Sequence, residues 1–507
     1  MADFEAKLDK GMSIFKTYLD RTKMDHKDYQ YEGVKWCLKN ELRSDPLCNV
    51  RGGFIADEMG LGKTILMIGT FLANFLPHTL VVVPPVLIDQ WYHQIFKTTG
   101  YKPLIYHGAA KKSITSEDLK GAHIVITSYG GVSLSKKFLN KRSKDLSKDL
   151  SKDLSKDLSL IHDIKWSRIV FDEAHHLRNK KTVLYKSVSL LNARIRWLVS
   201  GTPVQNAKSD FYNLCAAIKL PAEFYTEKNN LKLFARSFIL RRSKKQVGII
   251  IPDVFHDKKQ VDWANHKEMD ISEEIHSGLK FSGISGCKHT KLLNLFASTY
   301  APLALPLILM LKARQTCIFP KMMISTMEKF VKMGLIKNYD DYKEAFDQSS
   351  KLDYVVNYIL ERKSNGSGKI IFCHFREEID EISKRLIKGG ITKVAVLDGR
   401  TKNNNRYDIL HEKNEVLILQ IQTGCEGLNL QENYSEIYFI SPHWNPAVED
   451  QAIARCHRIG QTKPVYVKRF HMGDFLNEDS LVDPICIDSH VNNVQGFKRD
   501  IAKECLD

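Results

Sequence analysis

The feature that most constrains how this chain can fold is a rhythm of short, β-branched apolar runs separated by longer stretches. The first series is GGFIA (52–56), TLVVVPP (79–85), HIVITSY (123–129), SRIVFDEA (167–174) and RWLVSGTP (196–203). The second is KIIFCHF (369–375), KVAVLDGR (393–400), EVLILQIQTG (415–424) and EIYFISP (436–442). Near-continuous apolar runs of this length, alternating with longer connections, are how strands of a parallel sheet read when helices cover both faces. Two series far apart predict an α/β fold with two parallel-sheet lobes in tandem, over 1–240 and 351–507. Residues 241–350 lack the rhythm and are expected to form a mostly helical insertion. Within them APLALPLILML (301–311) is too short for a membrane span and carries two prolines, so a buried core segment is expected.

Two places in this frame carry chemistry. FIADEMGLGKT (54–64) is a strand running into a glycine-bearing turn and then an apolar, helix-like segment. Gly60 and Gly62 allow backbone N–H groups to approach phosphate oxygens. Lys63 would reach the β- and γ-phosphates, and Thr64 would place a hydroxyl on Mg²⁺ at a helix N-terminus, where anions are favoured. The strict GxxxxGK[ST] pattern has glycine where this chain has Asp57. The second place is IVFDEAHH (169–176), an apolar strand ending in Asp172–Glu173. Asp172 would hold Mg²⁺, and Glu173 would orient or deprotonate an attacking water. Strand ends are where α/β folds bind ligands. His175 and His176 are adjacent and share no helix face, so hydrogen bonding between domains is expected of them rather than zinc binding.

With these residues in hand, the chain resembles the helicase-type ATPases of superfamily 2, and within them the SWI/SNF-like family of double-stranded DNA translocases. DYQYEGVKW (28–36) resembles the family's glutamine motif, and DEMGLGKT (57–64) its own version of the phosphate loop, which accounts for Asp57. VVVPPVLIDQW (81–91), VITSYG (125–130), DEAHHLRN (172–179), SGTPVQN (200–206) and the basic FILRRSKKQV (238–247) follow in order. LDGRT (397–401), QTGCEGLNLQ (422–431), HWNP (443–446) and QAIARCHRIGQTKPVYVKRF (451–470) complete the series. The HRIGQ continuation is the most diagnostic of these. RQTCIFP (314–320) departs from the family pattern, with Phe319 where histidine is usual.

The resemblance implies two RecA-like lobes, ATP and Mg²⁺ as cofactors, and duplex DNA as partner, with RNA left open. Gln30 would read adenine. Asp57, Glu58, Met59, Gly60, Leu61, Gly62, Lys63 and Thr64 would cradle the nucleotide, together with Gly427. Gln451, Arg455 and Arg458 would act on the γ-phosphate with Lys63, Asp172 and Glu173. Arg455 and Arg458, three apart, are expected on one helix face. Ser200 and Thr202 would link the ATP site to the nucleic-acid cleft, and Glu426 with Gly427 would sense nucleic acid. Pro84, Gln90, Trp91, Thr127, Ser128, Thr423 and Trp444 would contact the nucleic-acid backbone.

Charge fits a polyanionic partner. The formal net charge is +16, and residues 1–240 hold 37 basic against 24 acidic side chains. The ten cysteines form no CxxC, which argues against zinc and disulfide frameworks and for a reducing compartment. The N-terminus does not read as a signal peptide. An intracellular, monomeric engine acting on DNA-bound proteins is expected, without membrane association. The 54 Lys against 21 Arg suggest an AT-rich genome such as that of a large DNA virus, whose virus factory would replace the nucleus as its location. SKDLSKDLSKDLSKDL (143–158) is expected to be a solvated surface loop. Alternatives are a strand-separating helicase, which the DEAH tetrapeptide alone permits, a transcription-associated ATPase, and a non-hydrolysing nucleic-acid-binding factor.

Overall fold

The computed structural model describes residues 2–22, 25–144, 159–284, 287, 289–401, 406, 408–410, 412–424, 428–475 and 484–506. It divides into two compact units, residues 1–250 with 500–507, and residues 251–499.

The first unit is built on seven strands: β1 (Arg51–Ile55), β2 (Thr79–Val83), β3 (Leu104–Tyr106), β4 (Ile124–Ser128), β5 (Lys165–Asp172), β6 (Asn192–Val199) and β7 (Ile239–Leu240). They lie in the order β3-β4-β2-β5-β6-β1-β7, and the paired strands all run parallel. Successive side chains of a strand point to opposite faces, and the core divides accordingly. Leu80, Val82, Ile169, Phe171 and Leu198 join one apolar cluster. Val81, Val83, Val170, Trp197 and Val199 join another on the opposite face. The N-terminal helix Ala2–Thr22 turns Leu8, Met12, Phe15 and Leu19 inward at helical spacing, onto the helix Lys63–Ala73. Contact is close enough that a Cβ on Gly69 would lie 2.7 Å from Phe15.

A buried ion pair pins this face. Glu41, from the helix Asp28–Leu42, accepts from Arg168 Nε at 2.6 Å and Nη2 at 2.5 Å, and from Trp197 Nε1 at 2.8 Å. Asn74 Nδ2 donates to the same carboxylate at 2.7 Å. Both charged side chains are fully buried, and burial of that kind is tolerated only with such complete pairing.

The second unit carries β8 (Val254–Val261), β9 (Gly368–Cys373), β10 (Val394–Leu397), β11 (Val416–Gln420), β12 (Tyr434–Phe439) and β13 (Val465–Met472). Their order is β10-β11-β9-β12-β13-β8, again parallel throughout. Thus both expected parallel-sheet lobes are present. The segment 241–350 is largely helical, as the missing rhythm implies, yet it also supplies β8 as the edge strand beyond β13. Its helices His266–Ser277, Leu305–Ile318 and Ile324–Lys332 share one apolar core with the sheet face carrying Ile371, Ile418 and Tyr438. The run 301–311 is only partly buried, which corrects the expectation of a core segment. Leu309 faces the core, while Leu303, Leu307 and Leu311 are exposed. Of the SKDL repeat, residues 145–158 lie outside the described residues. Among the described residues no helix is long and apolar enough to cross a membrane.

Candidate nucleotide site and its relatives

In the first unit the phosphate loop joins the end of β1 to the helix Lys63–Ala73. Gly60 and Gly62 take φ values of +93° and +77°, a left-handed conformation that side chains rarely adopt. A Cβ on Gly62 would also lie 2.7 Å from the Gln30 amide nitrogen. Gln30 packs directly on the loop, with Nε2 3.5 Å from the Leu61 carbonyl. Leu61 is buried and anchors the turn. Lys63 and Thr64 open the helix and are half-buried, and Lys63 Nζ donates to the Asp57 carbonyl at 3.0 Å.

The acidic residues of the loop face their own basic partners. Asp57, 1% exposed, accepts from Arg242 Nη2 at 2.5 Å and Nε at 3.0 Å. Glu58 accepts from the Lys244 backbone N–H at 2.8 Å and pairs with Lys244 Nζ at 3.1 Å. Ala56 and Glu58 N–H groups donate to the Leu240 and Arg242 carbonyls at 2.8 and 2.9 Å, which extends the β1–β7 pairing along the loop. The basic segment 238–247 thus supplies Arg242 and Lys244 to the loop, roles that its sequence alone does not reveal. The available signal was the unusual pair of acids opening a phosphate loop.

Asp172 ends β5. Its Oδ2 accepts from Trp91 Nε1 at 2.7 Å and its Oδ1 from the Glu173 N–H at 2.9 Å. Burial, and then the adjacent Glu173 charge, push its pKa up to about 6, while the Trp91 hydrogen bond pulls it down. Glu173 adopts φ +49°, which turns it away from the strand direction, and its carboxylate lies 3.3 Å from His175 Nδ1. His176 stacks on His175 at a centroid distance of 4.7 Å and lies tilted against Tyr129 at 4.8 Å. The Tyr129 hydroxyl donates to the Asp172 carbonyl at 2.7 Å. A desolvated carboxylate with a raised pKa, beside a second acid, is a donor set that suits a divalent cation.

The SGTPVQN loop leans on the phosphate loop. A Cβ on Gly201 would come within 2.7 Å of Met59 and 3.2 Å of Lys63 Nζ. Ser200 Oγ accepts from the Thr202 N–H at 3.2 Å. Arg178 donates to Gln205 Oε1 at 2.5 Å, which ties this loop to the segment after Asp172–Glu173. The structure therefore brings Gln30, the phosphate loop, Asp172–Glu173 and Ser200–Thr202 to one end of the first sheet.

Several residues expected on nucleic acid are committed elsewhere. Trp91 is 1% exposed and holds Asp172. Its helix shows Ile88, Trp91 and Ile95 buried at helical spacing, a pattern readable in the sequence. Thr127 is buried and donates to the Tyr106 carbonyl at 2.7 Å. Ser128 is buried, accepts from the Gly131 N–H and contacts His107. Pro84 is buried, whereas Gln90 is exposed.

In the second unit Gln451 is buried on the helix Pro446–Ile453. That helix ends before Arg455, so Arg455 and Arg458 do not share a helix face as expected. They lie in an irregular turn, because the Arg455 carbonyl accepts from the Leu430 N–H at 3.1 Å and buried Gln461 gathers the chain. Gln461 Nε2 donates to the Tyr434 and Cys456 carbonyls at 3.1 and 3.3 Å, while its Oε1 accepts from Thr462 and Lys463 N–H groups. Arg458 reaches Asn429. Burial, and then Arg455, lower its pKa. His457 Nε2 lies 3.0 Å from the Pro252 carbonyl. The His and Gln of HRIGQ thus shape the turn that presents the arginines. Trp444 is half-buried. Its face lies 5.8 Å from the Arg314 guanidinium, and its carbonyl accepts from Lys498 Nζ at 2.7 Å. Glu426, Gly427 and the side chain of Thr423 lie outside the described residues.

Residues 29–276 match the SNF2-related domain, and residues 350–460 match the helicase conserved C-terminal domain. Over most of its length the chain is thus similar to SNF2-related, helicase-type proteins. It is similar to an uncharacterised ATP-dependent helicase of Mycoplasma genitalium, at 27% identity over 97% of this chain and 43% of that protein. A DNA excision repair protein, ERCC-6-like, of Danio rerio is 24% identical over 97% of this chain and 37% of its own length. The ATP-dependent DNA helicase DDM1 of Arabidopsis thaliana is 26% identical over 87% of this chain and 58% of its own length. The chain therefore spans about half the length, or less, of these relatives. Among solved structures it is similar to the SWI2/SNF2 ATPase core of Sulfolobus solfataricus in complex with double-stranded DNA, at 22% identity and TM-score 0.38, covering 95% of this chain and 93% of that one.

Proposed function

We propose that this protein hydrolyses ATP in response to duplex DNA and uses the turnover to move along it, displacing or remodelling bound proteins. The observation that carries the reading is the meeting, at one sheet end, of the phosphate loop with Lys63 and the buried Asp172–Glu173 pair. Lys63 leaves the Asp57 carbonyl for the β- and γ-phosphates, and the N-terminal turn of its helix receives them. Thr64 and Asp172 would hold Mg²⁺, which supplies neutralising charge on the phosphates when bound. Glu173 positions the attacking water and takes its proton. In this reading the guanidinium groups of Arg455 and Arg458 stabilise charge on the transferring γ-phosphoryl group, so that hydrolysis is coupled to movement. The basic surplus of residues 1–240 supplies a salt-dependent grip on phosphates rather than base readout. The deciding experiment compares ATP hydrolysis with a strand-displacement assay on a tailed duplex. Stimulated hydrolysis without strand separation supports translocation, and robust unwinding overturns it in favour of a strand-separating helicase.

A further inference from the structure

We infer that Arg242 is a positioning residue for ATP: an internal counter-ion that lets a phosphate loop beginning with a buried acid accept a triphosphate. The inference rests on the ATP reading above and goes beyond it in naming what tunes nucleotide affinity.

Asp57 occupies the position where the strict phosphate-loop pattern has glycine. A buried carboxylate there adds negative charge to a site built to receive several more. Like charges in a desolvated site oppose one another strongly. Arg242 answers that charge with two hydrogen bonds, at 2.5 and 3.0 Å, in the forked geometry that only a guanidinium offers. The same guanidinium donates to the Tyr29 carbonyl and lies over the Tyr29 ring at 5.6 Å. A Cβ on Gly33 would come within 2.9 Å of it, so the helix Asp28–Leu42 is seated against this group. Arg242 therefore does two things at once. It cancels the charge of Asp57, and it holds the helix carrying Gln30 in register with the loop whose Leu61 carbonyl Gln30 touches. Because Lys63 Nζ bonds the Asp57 carbonyl, the residue that Arg242 fixes is also the one that parks the phosphate-binding lysine.

The experiment uses the full chain with saturating duplex DNA. It measures KM and kcat for ATP, direct binding of a fluorescent methylanthraniloyl ATP, and the thermal midpoint. Arg242→Gln should raise KM and weaken nucleotide binding by at least about tenfold, with kcat within about threefold, because a charge left without its partner opposes substrate binding. Arg242→Lys should recover only part of the loss, since an ammonium cannot make both bonds. Asp57→Asn alone should lower KM, because the charge that opposes the triphosphate is gone while Arg242 remains. Asp57→Asn with Arg242→Gln should recover most of the KM loss of Arg242→Gln, because the opposing charge is then gone, the remainder being the lost seating of the helix Asp28–Leu42 on Arg242. A brace of purely structural value gives the opposite order, with the double variant as impaired as Arg242→Gln or more so. That order, an unchanged KM in Arg242→Gln, or a tenfold rise in Asp57→Asn overturns the proposal. Failure of the unsubstituted chain to bind the nucleotide at all would instead overturn the ATP reading on which it rests.

Discussion

Replacing Trp91 by phenylalanine removes one hydrogen bond at the centre of the candidate site while keeping an aromatic ring in a buried position. The lost bond is the 2.7 Å donation from the indole N–H to Asp172 Oδ2. It favours the ionised carboxylate, so its loss raises the Asp172 pKa above its present value of about 6. A hydrogen bond to a charged group contributes about 1.5–3 kcal/mol, and one pKa unit corresponds to about 1.4 kcal/mol. The shift is therefore upward by roughly one to two units. In the Trp91→Phe variant, much of Asp172 is then protonated near neutral pH and unable to hold Mg²⁺. The assay is kcat/KM for ATP with saturating duplex DNA, measured from about pH 5.5 to about pH 9 and at several Mg²⁺ concentrations. The acid limb should move up by roughly one to two pH units, and excess Mg²⁺ should partly restore it, because the cation competes with the proton. Stability gives an independent readout. Since the folded-state pKa lies above the usual 3.8, Asp172 contributes stability that is present below pH 3.8 and lost as pH rises through about 6. The stability deficit of the variant should therefore widen from about pH 5 to about pH 8. An acid limb that coincides with that of the unsubstituted chain, whatever the change in rate, would refute the role given to Trp91.

Lys63→Ala and Glu173→Gln should each abolish ATP turnover while duplex binding, followed by fluorescence anisotropy, survives; normal turnover in either would remove the site assignment. Glu41→Ala leaves the fully buried Arg168 unpaired and should cost about 3–5 kcal/mol in urea unfolding, with a loss near zero contradicting the buried-pair account. Burial holds the His276 pKa down to about 4, against 6.5 ordinarily, so its contribution is present above pH 6.5 and lost as pH falls towards 4. Urea midpoints should fall across that window, and less steeply in His276→Asn.

The parts of this molecule that were legible in its sequence are those where chemistry leaves little choice. Glycines spaced before a lysine, and an acid pair closing an apolar run, describe the phosphate loop and the end of β5 without a structure. Strands β1, β2, β4, β5 and β6 of the first sheet and β9 to β12 of the second were equally legible, because strands covered on both faces must be apolar almost throughout. What escaped are residues whose role is set by distant partners. The strand VFHDKKQV is too charged to read as a strand, since it pairs on one side only, at the sheet edge. Trp91 looked like a nucleic-acid contact because it follows a backbone-binding motif, yet its partner lies 81 residues away. Spacing placed Arg455 and Arg458 on a helix, but Gln461 and Leu430 draw the chain into a turn through bonds that no local pattern encodes. Arg242 is 185 residues from Asp57, and only the fold shows why this loop can begin with an acid.

The central claim is that duplex DNA drives ATP hydrolysis. It is tested most directly by the hydrolysis rate of the full chain with equal nucleotide concentrations of duplex DNA, single-stranded DNA and RNA, each across a salt series. The account predicts the strongest stimulation by duplex DNA, with an apparent DNA affinity that falls steeply as salt rises. Stronger stimulation by RNA or by single strands, or hydrolysis indifferent to nucleic acid, would contradict it.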